Sequence, residues 1–430
     1  MTERARHVHF IAIGGIGVSA LAQWYLAQGY KVSGSDAVSS ETTDFLMDQG
    51  VTIYIGHHAS HIDGADEIIH SAAVKAGNPE YDAAKKRGIK MALYAEALGL
   101  LTRQYSTIAV AGSHGKSTTT AMVAIIMIAA GLDPTVVVGT KVKELDDNNF
   151  RHGGSKWLVL EADEYNRHFH HYYPQIAVIN NIDLEHLEIY PDLESVEQSF
   201  LDFANNVRPE GVLVANGQDK SVTRLLKRFD SKNRTVVVFN GTDIAKHNLS
   251  IPGGHNQSNA EAAFRVGKAL GIAEPSLRKS LHGFKGSWRR LEEVSEGIYS
   301  DYGHHPTEVK ASLQALREAN PNKRLVCVFQ PHQHERLSGL FNDFVAAFEA
   351  ADMAIIIPLY TPQGRDSGAG KGSEDLVRAI GKDGVLFAPN FNSAYATASK
   401  LFDQNHIIVF MGAGDIDESL RAKLAEQHLI

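Results

Sequence analysis

Short apolar runs recur along the chain, each closed by glycine or a polar residue and followed by a stretch with the 3.6-residue period of a helix. His7 to Ile13 reads as a first strand, Gly14-Gly15-Ile16-Gly17 as a tight turn, Val18 to Gln28 as a helix and Lys31 to Ser35 as a second strand. The strand signature returns at Glu67 to Ala73, Ser106 to Val110, Trp157 to Glu161, Ile176 to Ile182, Arg324 to Phe329, Met353 to Ile357 and Ile407 to Met411. Between them Thr118 to Ala130, Ala260 to Leu270 and the stretch from Thr307 read as helices. Strand followed by helix in this way predicts an α/β fold with mostly parallel sheets. Met122 and Met127 fall on a core-facing helix side, and Cys327 falls in an apolar strand, which makes it a packing residue.

The stretch after Val110 is Ala111-Gly112-Ser113-His114-Gly115-Lys116-Ser117-Thr118-Thr119-Thr120. A glycine-rich turn that joins a strand to a helix N-terminus aims backbone N–H groups, and the positive end of the helix dipole, at a phosphate. Lys116 is expected to reach the outer phosphates of a nucleoside triphosphate, and the Ser117 hydroxyl to ligate Mg2+. Val110 stands where the longer G-x-x-x-x-G-K-[ST] pattern has its first glycine, so the motif is the shorter G-x-x-G-K-S.

Composition narrows the partners. A chain of 430 residues accommodates two to four domains, each with its own core. Its 42 basic and 50 acidic residues leave a net charge of −8, which gives no reason to expect nucleic acid or an anionic membrane as partner; small molecules are the expected ligands. One cysteine excludes an intrachain disulfide and fits a reducing cytoplasm. Ile11 to Ala22 imitates a secretory signal, but Gly14, Gly15 and Gly17 interrupt it, and no stretch reaches the roughly 20 apolar residues of a membrane span. The tracts His168-Phe169-His170-His171, His304-His305 and His332-Gln333-His334 lack the spacing of structural zinc sites. Gly364 to Gly372 resembles a second phosphate loop without the hydroxyl after its lysine, and reads as a surface loop.

Other stretches supply further chemistry. Gly15-Ile16-Gly17-Val18-Ser19-Ala20 fits G-x-G-x-x-[GA], and Asp36 follows the next strand where a ribose would be met; a dinucleotide or a sugar nucleotide diphosphate would use the same turn. Ser71 either touches that ligand or caps its strand. The run from Trp157 ends in Glu161, Asp163 and Glu164, an acidic strand end of the kind that holds Mg2+ beside a phosphate loop, with Glu161 the first choice. His186 follows the next strand, where it meets either a terminal phosphate or second ion or a local hydrogen bond. Asn256 and Asn259 precede a helix, where they either read an adenine edge or cap the helix.

Taken together, Gly14 to Ser19, Gly112 to Ser117, Glu161 to Glu164, His255 to Asn259, Arg289 to Glu292, Asp301 to Glu308, Phe329 to His332 and Met411 to Asp415 resemble, in order, the signatures of the Mur ligases, over nearly the whole chain. The resemblance implies three domains: an N-terminal Rossmann-like domain for a UDP-sugar (1–101), a central P-loop ATPase domain (102–287) and a C-terminal Rossmann-like domain that completes the site (288–430). It implies that ATP phosphorylates a sugar-borne carboxylate and that an amine attacks the acyl phosphate, in the cytoplasm, by a monomer or homodimer. Within the family the pattern is similar to the branch that joins L-alanine to UDP-N-acetylmuramate. Carried over by motif, Lys116 stabilises the transferring phosphate, Ser117 and Glu161 hold Mg2+, and His186 lies near a second Mg2+. Asn256 and Asn259 meet adenine, Arg290 and Asp301 complete the ATP site, and His304 and His305 lie near the amino acid.

Departures from the pattern are local. Ser113 and Ser117 replace threonines, Glu185 replaces the aspartate before the histidine, and Phe200 fills a position that is a carbamylated lysine in several members. Asp163-Glu164-Tyr165-Asn166-Arg167 leans toward the ligase that recycles murein tripeptide onto the same sugar, whereas Gly14 to Gly17 and Phe329 to His332 favour the alanine-adding branch. Two other classes are an ATP-dependent sensor without turnover and, from the first glycine turn alone, a nicotinamide dehydrogenase.

Overall fold

Ser106–Ala111 runs through the middle of a seven-stranded sheet, every residue after Ser106 buried, and delivers the phosphate loop at its C-terminal end. The computed structural model describes residues 5–240, 247–361 and 370–428. The strand order of this sheet is Thr235–Phe239, Val212–Asn216, Ile176–Ile179, Ser106–Ala111, Trp157–Glu161, Thr135–Val142 and Asn148–Arg151, parallel throughout except for the last pair. Helix Lys116–Ala129 packs on it, with Met122 and Met127 fully buried.

A five-stranded parallel sheet precedes it, in the order Thr52–Ile55, Lys31–Asp36, His7–Ile11, Glu67–His70, Lys90–Leu93. The chain order reverses between His7–Ile11 and Glu67–His70, and in open α/β sheets ligands bind outside the strand ends at such a switch. A third sheet has six strands, Glu292–Ser295, Ile298–Asp301, His406–Met411, Arg324–Phe329, Met353–Ile356 and Val385–Phe387, with only the first pair antiparallel. Leu325, Cys327 and Phe329 face one core of that sheet while Val326 and Val328 face the other, the period-2 alternation of a strand covered on both sides.

The chain divides into two compact units: Met1–Asp183 with Leu193–Ala245 and Asn259–Leu281, and Leu184–Asp192 with Lys246–Ser258 and His282–Ile430. The first two sheets belong to the first unit and the third sheet to the second. No helix of the described residues is long and apolar enough to cross a membrane.

Several element ends differ from the sequence reading. The strand expected to reach Ala73 stops at His70, because the Ser71 hydroxyl accepts the Ala73 N–H at 3.3 Å and turns the chain. The strand expected to reach Ile182 stops at Ile179. The helix expected from Ala260 starts at Gly254, so Asn256 and Asn259 lie inside it and neither is its cap. Residues 364–369 of the expected surface loop lie outside the described residues.

Candidate functional site

In the first unit the phosphate loop is shaped by two glycines. Gly112 has φ 150° and Gly115 φ 79°, backbone conformations that favour glycine. A Cβ on Gly112 would lie 2.9 Å from the Asn180 Cβ, and one on Gly115 would run into the Asn259 side chain. The loop is pinned to the next strand end: Ser113 N–H donates to Asn181 O at 3.1 Å, His114 N–H to Asn181 Oδ1 at 2.7 Å, and Asp183 N–H to Ser113 Oγ at 2.8 Å. His114 Nε2 and Asp183 Oδ2 are 3.2 Å apart.

The Ser117 and Thr118 amides open a 14-residue helix, and among the described residues no group accepts from them. Unclaimed first-turn N–H groups at the positive end of a long helix are the chemistry a polyphosphate needs. The same holds for a hard cation: the Ser117 hydroxyl is without a partner among the described residues, and Glu161 ends its strand with one oxygen accepting the Gly139 N–H at 2.7 Å. Oxygen donors of this kind suit Mg2+. The residues present therefore fit both ATP and Mg2+.

Lys116 Nζ is engaged by protein. It donates to Gly112 O at 2.7 Å, to Ser113 O at 3.3 Å and to both Glu164 oxygens at 2.9 and 2.8 Å. Glu164 is buried, so of the three carboxylates ending the strand it is this one, and not Glu161, that faces the loop lysine. The sequence reading named the triplet and missed that choice. Phe200 is fully buried and packs edge-on against Phe169 at 5.1 Å, in a cluster with Phe203.

The first sheet presents the other glycine turn. Gly14 N–H donates to Asp36 Oδ2 at 2.8 Å, and Ala37 N–H to Asp36 Oδ1 at 2.8 Å. Asp36 thus ties the turn to the end of its own strand, a structural duty beside the expected ribose contact. Gly15 has room around it and Ile16 is 36% exposed, whereas a Cβ on Gly17 would lie 2.7 Å from the Tyr94 hydroxyl. Beneath the sheet, buried Glu80 collects His9, Ser35, His57 and His61. Burial opposes its charge, but the hydrogen bonds from His9, Ser35 and His61 outweigh burial and draw the Glu80 carboxyl down to about 2.

The second unit carries the remaining predicted residues. Asp301 is buried; its oxygens accept Leu291 N–H at 2.8 Å, Gly303 N–H at 2.8 Å and Ser312 Oγ at 3.2 Å. Asp301 thereby shapes the Arg289–Leu291 turn, where Arg289 (φ 56°) and Leu291 (φ 48°) are left-handed. Burial pushes its carboxyl above the usual range. Arg290 NH1 donates to Glu308 at 3.0 Å, and Glu308 also accepts His304 N–H at 3.1 Å. Burial opposes the charge of Arg290, while Glu308 and Asp301 outweigh it. His304 Nε2 lies 3.4 Å from Glu185, which lies 3.4 Å from Arg336. His305 is buried as the residue before helix Pro306–Ala319, its ring accepting the Thr307 N–H at 3.3 Å. His186 is left-handed (φ 56°), with Nδ1 3.7 Å from Glu188. Asn256 Nδ2 donates to Pro252 O at 2.7 Å. The sequence reading missed Glu308, Glu185 and Arg336 as parts of this network, although Glu308 ends one of the quoted motifs.

Comparison with known proteins decides the family. Residues 7–106 match the Mur ligase family, catalytic domain; residues 110–250 the Mur ligase middle domain; and residues 289–414 the Mur ligase, glutamate ligase domain. The chain belongs to the Mur ligase family. It is 38% identical to a UDP-N-acetylmuramate--L-alanine ligase of Aquifex aeolicus, covering 100% of this chain and 99% of that protein. It is also 38% identical to one of Desulfosudis oleivorans, covering 97% of each. A solved UDP-N-acetylmuramate-alanine ligase of Thermotoga maritima superposes with a TM-score of 0.81 at 26% identity, over 98% of this chain and 99% of that one. A murein peptide ligase of Psychrobacter arcticus shares the fold, with a TM-score of 0.71 at 22% identity over 98% of each chain. The three-domain α/β fold with mostly parallel sheets is therefore that of a Mur ligase.

Proposed function

We propose that this Mur ligase joins L-alanine to the carboxylate of UDP-N-acetylmuramate in an ATP-dependent step of peptidoglycan precursor biosynthesis. The observation that carries the reading is identity of 34–38% along essentially the whole chain to ligases of that name. A carboxylate is a poor electrophile. Transfer of the γ-phosphoryl group of ATP to a carboxylate oxygen releases ADP and makes an acyl phosphate; attack by the alanine amine forms the amide and expels phosphate.

This chemistry asks the protein for charge stabilisation and alignment. The Gly112–Thr118 loop, with Ser113, His114, Gly115 and Ser117, cradles the phosphates. ATP competes with Glu164 for Lys116, and the lysine then follows the transferring phosphoryl group. Mg2+, when bound by Ser117 and Glu161 with a second ion near His186, neutralises phosphate charge. Asn256 and Asn259 serve the adenine side, and Arg290, held in its turn by Asp301, serves the phosphates. Gly15, Ile16, Gly17, Asp36 and Ser71 serve the UDP-sugar, and His304 and His305 the amino acid. The corresponding domains are 1–101, 102–287 and 288–430. The enzyme works in the cytoplasm, as a monomer or homodimer, and its product feeds wall growth during cell shape maintenance and division.

A second reading, murein tripeptide ligase, is favoured by one observation, the stretch Asp163 to Arg167, in which Asn166 (φ 49°) and Arg167 (φ 57°) are left-handed. Phosphate release with UDP-N-acetylmuramate, ATP and a panel of single amino acids and tripeptide separates the two. Stimulation by L-alanine is expected; stimulation by tripeptide alone would reverse the assignment.

A further inference from the structure

Strands Thr135–Val142 and Asn148–Arg151 form the antiparallel edge of the seven-stranded sheet. Val137 pairs with Phe150 and Val142 with Asn148, so the stretch from Val138 to Lys141 stands opposite Asn149 alone. Gly139 lies in that irregular stretch, and its N–H donates to Glu161 Oε2 at 2.7 Å. The Asn149 side chain reaches instead to helix Ile16–Ala27, which follows the first glycine turn in the same compact unit. Its Nδ2 donates to Ile16 O and, at 3.1 Å, to Ser19 Oγ, while its Oδ1 accepts Gln23 Nε2 at 3.2 Å. Ser19 Oγ donates to Ile16 O at 2.9 Å, and Asn148 Nδ2 donates to Gln23 Oε1 at 2.9 Å.

Asn149, Ser19 and Gln23 are buried, and both amide protons and the amide oxygen of Asn149 are engaged. Two aliphatic faces can slide past each other by a fraction of an ångström at little cost. Buried amides cannot, because any slide leaves a donor or acceptor unpaired out of reach of water. Ile16 is the first residue of its helix, so the network grips the chain at the glycine turn and not farther along. The Gly14–Asp36 bond shapes that turn from within; Asn149 sets where the shaped turn stands against the hairpin. The same hairpin aims Glu161. The glycine turn and the acidic strand end are thus indexed to one piece of backbone.

We propose that Asn149 is a positioning residue for the ligase reaction: through the hairpin it fixes the UDP-sugar turn relative to Glu161, and so aligns the sugar-borne carboxylate with the γ-phosphate of ATP. The inference rests on the proposed function, which assigns the UDP-sugar to the first sheet and ATP with Mg2+ to the second. A group that aligns two bound substrates contributes to the rate of transfer between them and little to the affinity for either.

The test is Asn149→Ala, assayed with UDP-N-acetylmuramate, ATP, Mg2+ and L-alanine. The single-turnover rate of ADP formation at saturating substrates is expected to fall about 10- to 100-fold, while the dissociation constants of UDP-N-acetylmuramate alone, and of a non-hydrolysable ATP analogue with Mg2+, stay within about twofold of those of the unaltered protein. Ser19→Ala, which suits the helix and removes one acceptor, is expected to fold as before and to slow the same step about threefold, again without loss of affinity. An unchanged rate in folded Asn149→Ala, or in Ser19→Ala where the first variant does not fold, overturns the inference and leaves the proposed function standing. So does a rate loss matched by an equal loss of UDP-N-acetylmuramate affinity, which would make Asn149 part of the binding site. Absence of L-alanine-stimulated ADP formation by the unaltered protein overturns the proposed function and the inference with it.

Discussion

Lys116 and Glu164 form an ion pair in which one ammonium serves both oxygens of a buried carboxylate, at 2.9 and 2.8 Å. The pair holds the loop lysine in place before nucleotide arrives and makes Lys116 both a phosphate ligand and a structural counter-charge. Removing it therefore has two separable consequences.

Lys116→Met is expected to lower turnover by about 10³-fold, and also to destabilise the protein by about 3–5 kcal/mol, because Glu164 is left buried and unpaired. Lys116→Met combined with Glu164→Gln should recover most of the unfolding free energy and none of the turnover. Chemical denaturation beside phosphate-release assays reads both; turnover restored in the double variant would remove Lys116 from the chemistry.

Glu161 is aimed by its neighbour across the sheet. A Cβ on Gly139 would come within 2.7 Å of Glu161 Oε2 and 2.9 Å of Oε1. Gly139→Ala should therefore swing the carboxylate, the far end of a flexible side chain, without unfolding the strand. The expected outcome is a higher Mg2+ concentration for half-maximal activity at an unchanged thermal midpoint, read by magnesium titration.

Asp301 holds its own turn together. Asp301→Ala leaves the Leu291 and Gly303 N–H groups and the Ser312 hydroxyl without their acceptor. Each such group costs about 1–3 kcal/mol, so urea unfolding should report a loss of several kcal/mol. The KM for ATP should rise with it, as the left-handed Arg289–Leu291 turn that carries Arg290 relaxes.

Glu80 sets an acid limit on the first sheet. Its carboxyl is held at about 2 against an ordinary 4.5, so between those values the unfolded chain binds the extra proton. The stabilisation, about 3 kcal/mol, is complete above pH 4.5 and lost as pH falls toward 2. Glu80→Gln should be less stable at neutral pH and should lose this part of the acid dependence, in unfolding curves taken from pH 7 down to pH 3.

What the sequence determined by itself was everything local. Period and punctuation are properties of neighbouring residues, so the alternation of strand and helix, the Gly112–Ser117 loop, the burial of Met122, Met127 and Cys327, and the family resemblance were legible in the chain. Partner choice was not, because it depends on which distant side chain the fold delivers to the same few ångströms. Glu161, Asp163 and Glu164 carry the same functional group within four residues, yet Glu164 turns inward to Lys116 while Glu161 turns to Gly139. Asp301 carries a motif that reads as ligand-facing, but packing surrounds it with three donors. Tyr94 carries no motif at all; it reaches Gly17 only because its helix starts where the first sheet ends. Sequence spacing decides which chemistry a segment carries, and tertiary packing, acting over long separations through directional hydrogen bonds and excluded volume, decides which atom performs it.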